Sequence, residues 1–285
     1  MATHQFNVVK IILNKTAFDE NIIHIILKYY WKDLKNKRKV LLPWINIEWL
    51  SWDALSANPN AINLLENNID KINWSTLSEN PNAINLLENN LDKIDWDTLS
   101  ENPNAINLLE NNIDKIDWYY LSKNPNAINI LENNQDKINW YYLSTNPNAI
   151  YLLENNKDKI HWNNLSGNPN AMDLLKQNKG KINWIGLSYN PNAIDLLENN
   201  LDKIDWELLC YNPNAIELVR ERIKYEEILT EEELDYLDYK KDLINWDYLC
   251  LNPNAIDLLK ENQDKINWYH LSSNPSIFED EPMPL

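Results

Sequence analysis

The chain has 285 residues, and 44% of them are apolar, which is enough for a hydrophobic core and argues against disorder. Only 3 residues are glycine, too few for the phosphate-binding loops of nucleotide-binding folds. The net charge of −17 argues against a nucleic-acid partner, because binding phosphates requires a concentrated basic face.

Residues 1–43 precede the regular part of the chain and are predicted to form an N-terminal helical cap or arm, since repeat arrays need an end unit with a polar outer side. A small docking element is the alternative. The apolar residues that share one helical face are Phe18, Ile22, Ile26 and Tyr30. Lys10 interrupts the first apolar run, and no stretch approaches the roughly 20 residues that cross a bilayer. We therefore expect an intracellular protein with no membrane partner.

A basic cluster closes this segment, at Lys35, Lys37, Arg38 and Lys39. Residues 1–40 carry 8 basic and 3 acidic side chains, a net +5, which leaves −22 for the rest of the chain. The cluster is interpreted as a solvated turn; a nuclear-import signal or a contact with an acidic partner are the alternatives.

Residues 44–285 are dominated by a repeat of 22 residues. Its tryptophans are Trp52, Trp74, Trp96, Trp118, Trp140, Trp162, Trp184, Trp206, Trp246 and Trp268, which define ten units. Each unit is counted here from the residue four before its tryptophan. From Asp92 the unit reads D-K-I-D-W-D-T-L-S-E-N-P-N-A-I-N-L-L-E-N-N-I, and the tenth unit is degenerate after Pro275.

Each unit contains two helix-start signals. The residue before the tryptophan is Asn, Asp or Ser in every unit except at His161, and these are the preferred N-cap types. Asn80-Pro81 predicts a second cap, with proline in the first helical turn. The second helix is expected to stop at Asn89-Asn90, because asparagine tolerates the left-handed conformation of helix ends.

The predicted fold is therefore all-α: an α-solenoid of about ten two-helix repeats with an N-terminal helical cap. Helices this short are marginal alone, so stacking must stabilise them, with tryptophan, leucine and isoleucine in a continuous core. A leucine-rich repeat with strands is the competing fold, since 22 residues lies in its length range. Its pattern fails at Leu99, where asparagine or cysteine should stand.

An 18-residue insertion near 223–240 lengthens the spacing between Trp206 and Trp246. Thr230 and Glu233 form a capping box that predicts a further helix, with Leu234 and Leu237 on one face. The insertion is equally a binding element or a lengthened hairpin packed on its neighbours.

Two cysteines, Cys210 and Cys250, stand where other units carry serine. Equivalent atoms of stacked units lie about 10 Å apart, whereas a disulfide needs Cα atoms within about 7 Å. Both are predicted to be reduced; a reactive thiol pair is the alternative.

Tyrosines cluster at positions that vary between units, and this is a pattern typical of protein-binding surfaces. The candidate protein-binding residues are Tyr119, Tyr120, Tyr141, Tyr142, Tyr151, Tyr189 and Tyr211. Padding of the groove between units is the alternative role. The four histidines are scattered without metal-ligand spacing, so no catalytic, metal or cofactor-binding residues are expected.

The string L-S-x-N-P-N-A-I-x-L-L-E-x-N-x-D-K-I-x-W resembles tandem repeats of uncharacterised proteins in giant DNA viruses of amoebae, and Leu41-Leu42-Pro43-Trp44-Ile45 is similar to their lead-in. The resemblance spans roughly residues 41–276 and implies a viral repeat scaffold in the host cytoplasm, virus factory or virion. The expected role is a non-enzymatic protein-interaction scaffold; a spacer or cement component of the virion is the alternative.

Overall fold

The computed structural model describes residues 39–240 and 243–281, together with residues 9, 13, 22, 23 and 25–27; the side chains of residues 238–240 are outside this description. The described chain is a helical repeat protein in which the units contain a first helix that begins at the tryptophan and, through the ninth unit, a second helix that begins ten residues later. Strands occur only as one short pair outside the helical hairpins of the described chain, so the leucine-rich alternative is wrong.

The helices follow one another in the order α1 (Trp52–Ala57), α2 (Ile62–Glu66), α3 (Trp74–Ser78), α4 (Ile84–Glu88), α5 (Trp96–Glu101), α6 (Ile106–Glu110), α7 (Trp118–Leu121), α8 (Ile128–Glu132), α9 (Trp140–Leu143), α10 (Ile150–Glu154), α11 (Trp162–Ser166), α12 (Met172–Gln177), α13 (Trp184–Ser188), α14 (Ile194–Glu198), α15 (Trp206–Leu209), α16 (Ile216–Glu226), α17 (Glu231–Lys240), α18 (Trp246–Leu251), α19 (Ile256–Glu261) and α20 (Trp268–Ser272). The strands are β1 (Lys39–Leu41) and β2 (Phe278–Asp280).

A three-residue 3₁₀ turn, which the sequence analysis did not predict, joins most units. These turns are Ile47–Trp49, Ile69–Lys71, Leu91–Lys93, Ile113–Lys115, Gln135–Lys137, Lys157–Lys159, Lys179–Lys181, Leu201–Lys203 and Gln263–Lys265; one more, Pro275–Ile277, lies in the tenth unit.

The predicted caps of the first helices are confirmed. The side chain of Asn73 accepts a hydrogen bond from the backbone N–H of Thr76 at 3.2 Å, and Asp95 accepts from Thr98 at 3.3 Å. At His161 the helix begins without a side-chain cap bond. The helix starts of the repeat are thus encoded locally, by the residue before each tryptophan.

The predicted second cap at Asn80-Pro81 is wrong. The Asn80 carbonyl accepts from the N–H of Ala83 at 3.1 Å, which closes a β-turn with Pro81 at its second position. The Asn80 side chain accepts from the N–H of Asn82 at 3.0 Å inside this turn, and the helix begins later, at Ile84. The side-chain oxygen of Asn80 is thus used inside the turn, while its nitrogen is bonded to the neighbouring unit.

The second helix ends at the predicted asparagines but by a different device. Asn89 has φ −82° and Asn90 has φ −142°, so neither is left-handed. Their side-chain amides instead donate to the carbonyls of Asn85 and Leu86, at 2.7 and 2.9 Å. Carbonyls that have no helical partner are satisfied in this way.

The core is a ladder of fully buried leucines, and the tryptophans pack against it while remaining only half buried, less than predicted. A lysine of the next unit covers one face of the ring in eight of the ten units: Lys71 lies 4.5 Å from the centroid of Trp52, and Lys115 lies 4.2 Å from that of Trp96. Cation–π contacts of this kind contribute about 0.5–1 kcal/mol each where exposed. The tryptophans therefore have a structural role, as predicted, and most of them are also contacted by a positively charged side chain.

Polar side chains join neighbouring units. The buried amide of Asn80 donates to the carbonyls of Ser56 and Asn58 in the preceding unit, both at 2.9 Å. The Ser56 hydroxyl donates to the Trp52 carbonyl at 2.8 Å and accepts from the N–H of Asn73 at 3.1 Å. The same bonds recur from unit to unit and are called here the hydrogen-bond ladders. Because a buried polar group costs free energy unless it is hydrogen-bonded, these ladders require one register between neighbouring units.

The same ladders join the last unit to the first. The amide of Asn58 donates to the carbonyls of Ser272 and Asn274 at 3.0 and 2.9 Å, and the N–H of Ser51 donates to the Ser272 hydroxyl at 2.9 Å. These are the bonds that any unit makes to the unit before it. The ten units therefore form a closed ring in which each unit turns the chain by one tenth of a circle on average.

Both ends of the described chain complete the tenth unit. Strand β1 pairs antiparallel with β2, the N–H of Leu42 donates to the Ile277 carbonyl at 2.9 Å, and Lys39 forms an ion pair with Asp280 at 2.8 Å. This pair of segments stands where other units have a second helix.

Trp49 occupies the position of the lysine that covers the preceding tryptophan, and its ring lies 4.7 Å from that of Trp268. Trp44 adds a second contact to Trp268 at 6.4 Å. The lead-in segment is therefore the closing segment of the ring.

These contacts differ from the open array that was predicted, because the outer side of the first unit is covered by the tenth unit. The helical cap itself stays a prediction; of its described residues, Ile23 and Leu27 are buried. The predicted cap, residues 1–43, lies mostly outside the described residues, and so does the basic cluster except for Lys39. In most of the ring the first helices of neighbouring units pack on each other, while the second helices stand farther apart, which places the first helices nearer the axis.

The insertion lengthens α16 and adds α17, whose predicted capping box is confirmed: Glu233 N–H donates to the Thr230 hydroxyl at 3.3 Å, and the Glu233 carboxylate accepts from Thr230 N–H at 2.9 Å. Arg222 on α16 covers Trp206 at 4.7 Å, in place of the usual lysine, and pairs with Glu226 at 3.2 Å. This first half is framework, whereas Tyr236 on α17 is exposed.

Cys210 and Cys250 are free and buried, as predicted. The thiol of Cys210 donates to the Trp206 carbonyl at 3.3 Å, which is the bond that serine makes in other units. Burial raises the pKa of Cys210 to about 12 and that of Cys250 to about 11. Both thiols act as ladder members rather than as nucleophiles.

Candidate protein-binding surface

The tyrosine surface is defined here as Tyr119 and Tyr120 on α7 with Tyr141 and Tyr142 on α9. Each pair occupies the two positions after the tryptophan, where the cap bonds hold the helix start. Asp117 accepts from the N–H groups of Tyr119 and Tyr120, at 2.8 and 3.0 Å. The cap bonds therefore fix the backbone from which these side chains project.

The four rings make one continuous aromatic group. Tyr119 and Tyr142 bridge the two units, with ring centroids 3.9 Å apart and a hydrogen bond between their hydroxyl groups. Within each unit the centroids lie 5.3 and 4.9 Å apart in edge-on pairs. Such geometries contribute about 0.5–1.5 kcal/mol beyond area burial. The hydrogen bond that the Tyr142 hydroxyl shares with Tyr119, with further contributions from burial and the neighbouring tyrosines, raises the pKa of Tyr142 to about 12.

The group has an exposed and a half-buried layer. Tyr119 and Tyr141 are 42% and 48% exposed, whereas Tyr120 and Tyr142 are half buried between the units. The two roles predicted from the sequence, groove filling and protein binding, thus fall on different positions. The second tyrosine of each pair fills the groove between units, and the ring of the first is exposed to solvent.

Two residues that the sequence analysis did not select extend the surface. The His161 ring lies 4.5 Å from that of Tyr141, and Lys123 lies 4.9 Å from the ring of Tyr142 while pairing with Glu101 at 3.1 Å. A signal for His161 was present, since it replaces a cap residue in the unit that follows the two tyrosine pairs. Lys123 stands at a position that varies between units, and no pattern in the sequence of its own unit indicates that it belongs to this surface.

Charges flank the surface on the side of the earlier units. Burial raises the pKa of Glu79, the nearby carboxylate of Glu101 adds to this, and Lys123 opposes it. The edge of the tyrosine surface is therefore a mixed acidic and basic rim.

The other selected tyrosines do not form part of this group. Tyr151 lies on α10 and is 71% exposed. Tyr211 stacks on Tyr248 at 4.3 Å, and burial raises its pKa. Tyr189 is half buried, and its ring fills the place of a Cβ at Gly167, which is why that position suits glycine. The structure therefore brings four of the seven together.

Within the described residues, no group of three or more His, Cys, Asp or Glu side chains is arranged to hold a metal ion. None of the described helices has both the length and the apolar character needed to cross a membrane. Comparison with protein families, with curated proteins and with solved structures gives no match to this chain.

Proposed function

We propose that this chain is a non-enzymatic scaffold that binds a protein partner through the tyrosine surface. The observation that carries the proposal is the exposure of two tyrosine rings that are held by half-buried tyrosines of consecutive units. Aromatic side chains placed on a rigid support are the residues that dominate binding energy, often at 2 kcal/mol or more each. The support is rigid because the ladders of buried hydrogen bonds allow one register.

Several features support an interaction surface rather than simple groove filling. Groove filling alone does not account for Tyr119 and Tyr141, because units with Ser75, Asp97 or Asn163 at this position also begin a helix at the tryptophan and keep the 3₁₀ turn before it. Lys123 and His161 give the surface the cationic and polar edge that is common at the rim of an interface. The proposed partner is a protein, and neither nucleic acid nor membrane is proposed.

We place this scaffold inside a host cell, in the cytoplasm, on the resemblance of the repeat string to giant-virus repeats. The alternative, a spacer or cement component of the virion, divides into two cases. A ring does not extend between two points as an open array does, so the contacts between Ser51 and Ser272 weigh against a spacer. A cement role needs a binding surface and would use the same tyrosines.

The experiment replaces the tyrosine surface with residues that other units carry at these positions: Tyr119→Ser, Tyr120→Thr, Tyr141→Asn and Tyr142→Asn. Circular dichroism and thermal melting should remain close to wild type. A pull-down from infected amoebae with the tagged wild-type chain identifies the partner, and the purified partner is then titrated with both chains.

We expect at least a hundredfold weaker binding by the quadruple variant, since two exposed aromatic anchors are lost. Tyr151→Asn is the matched control, because it removes an exposed tyrosine elsewhere in the ring, and it should bind as wild type does. A folded quadruple variant that binds the partner normally would overturn the proposal and direct attention to Tyr225 and Tyr236 near the insertion, which are 46% and 61% exposed; the side chain of Tyr239 is outside the description.

A further inference from the structure

One junction between units differs in charge from the others. A junction is defined here as the six residues from the end of a second helix through the 3₁₀ turn that follows it. Residues 176–181 form the junction after the sixth unit; they read K-Q-N-K-G-K and contain three lysines and no acidic residue. One glutamate and one aspartate stand in each of the other seven junctions of this length, residues 66–71, 88–93, 110–115, 132–137, 154–159, 198–203 and 260–265. The formal charge is therefore +3 here and −1 or 0 elsewhere.

The glycine of this junction is not required by the fold. Gly180 stands where other junctions carry aspartate, as at Asp158 and Asp202. A Cβ added at Gly180 would meet no atom within 4 Å, and the backbone there is not left-handed. The junction also forms the same 3₁₀ turn, Lys179–Lys181, as its neighbours do. An aspartate would fit at this position, so the consequence of the glycine is the loss of a carboxylate.

Three exposed lysines form what is called here the basic patch: Lys157, Lys176 and Lys179. Among the residues that the structure describes, none of the three has a carboxylate within ion-pair distance. The lysine that ends the turn is engaged differently, since Lys181 lies 4.4 Å from the ring centroid of Trp162. Lys157 and Lys179 occupy the same position of consecutive units and therefore lie on the same face of the ring. The patch thus presents unpaired positive charge on a strongly acidic protein.

The surroundings limit the size of an anion that can bind here. Exposed carboxylates flank the patch, at Glu154 in the preceding junction, Asp173 on α12 and Glu198 in the next junction. Residues 41–285 carry a net charge of −22. A nucleic acid or an anionic membrane would extend beyond the lysines and bring its charges against this acidic ring. A short acidic segment of a protein can place a few carboxylates on the lysines and avoid that repulsion.

We infer that the basic patch binds a short acidic segment of a partner protein, with glutamate or aspartate side chains facing the lysines. Charge complementarity selects this occupant. The charge pattern that defines the patch is confined to this place, because the neighbouring junctions retain their glutamate and aspartate. The site is separate from the tyrosine surface and goes beyond the function proposed above.

The test uses a synthetic peptide of eight glutamates flanked by glycine and serine, with an uncharged dye. Its fluorescence anisotropy is followed while the full chain is titrated, at 50 mM and at 300 mM salt. We expect saturable binding at the lower salt concentration and at least fivefold weaker binding at the higher one, because salt screens exposed charges. A single-stranded DNA of eight thymidines should bind more weakly than the peptide.

The variant Lys176→Glu, Lys179→Leu and Gly180→Asp introduces residues that other junctions carry at these positions. It should melt as wild type does and bind the peptide at least tenfold more weakly. Lys157→Gln, with the residue that stands at position 135, is a milder variant that should lose at least threefold.

A matched control makes the same change in net charge at exposed positions away from the patch: Asn85→Asp, Asn107→Asp, Asn129→Asp and Gln263→Glu. It should bind within twofold of wild type, and so should the quadruple tyrosine variant. No saturable binding to wild type, an equal loss in the control, or unchanged binding by both patch variants would each overturn the inference. Tighter binding of the DNA would do the same. So would self-association in sedimentation that the triple variant abolishes, because the occupant would then be a second copy of the chain.

Discussion

The ladder of buried asparagines predicts a large and pH-dependent loss of stability on replacing one amide by a carboxyl group. Asn124 is fully buried, and its amide nitrogen donates to the carbonyls of Ser100 and Asn102 at 3.0 and 2.8 Å. Its amide oxygen accepts from the N–H of Asn126 at 3.0 Å. Asn124→Asp keeps the shape and this last bond, but it removes both donors and places a negative charge against two carbonyl oxygens.

The expected magnitude follows from the bonds that are lost. Leaving a buried polar group without its partner costs about 1–3 kcal/mol, and two carbonyls lose theirs. The folded variant therefore loses about 2–6 kcal/mol at neutral pH. Because burial against carbonyls raises the pKa of the new carboxyl group above its unfolded value of about 4, the loss grows as pH rises from there through the folded-state pKa. The free energy of unfolding falls by at most about 1.4 kcal/mol for each pH unit in this range.

Urea unfolding followed by tryptophan fluorescence measures this loss at pH 5.5 and pH 8.0, above the isoelectric point of about 4.6. Asn129→Asp is the matched control, since Asn129 is exposed and other units carry aspartate there, at Asp173 and Asp195. It should unfold close to wild type at both pH values. If Asn124→Asp unfolds like the control, or if its loss is the same at both pH values, the ladder does not hold the units as described.

Two further predictions concern single units. His161→Asn supplies the one side-chain cap that is missing among the first helices described, and it should raise the free energy of unfolding by about 0.5–1 kcal/mol, measured by urea unfolding. An unchanged or lower stability would show that the contact of His161 with Tyr141 outweighs the cap. Cys210 and Cys250 should react with a thiol reagent at pH 8 only on unfolding, because burial raises both pKa values to about 12 and about 11. Rapid labelling of the native chain would show that the thiols are accessible.

Local features of the fold were predictable from the sequence because they depend on neighbours in the chain. The caps before each tryptophan, the capping box at Thr230 and the serine-like role of Cys210 all follow from short-range patterns. The hydrogen-bond partners of the repeat asparagines were harder to predict, because the residue type alone does not show which bonds the side chain makes. Asn80 was assigned to a helix start, whereas its amide is used between units.

Closure of the ring was beyond the reach of the repeat pattern. It depends on the small rotation between neighbouring units, which the buried ladders determine together and no single residue encodes. Trp49 did carry a signal, because it stands at the lysine position of the first unit and covers Trp268. In the tyrosine surface, the adjacency of the two tyrosine pairs was predicted from the repeat, but the contact of Tyr119 with Tyr142 and the part played by His161 required the structure.

The contact between the first and tenth units is tested most directly by distances between spin labels. In a chain with Cys210→Ser and Cys250→Ser, labels are placed at Asp53→Cys with Ser75→Cys, and separately at Asp53→Cys with Tyr269→Cys; all three sites are exposed and occupy the same position of their units. Units 1 and 10 are neighbours in the ring, as units 1 and 2 are. Both pairs of spin labels should therefore give the same short distance by double electron–electron resonance. In an open array, nine steps of about 10 Å would place the second pair up to about 90 Å apart, and a distance well beyond that of the first pair would contradict the closed ring.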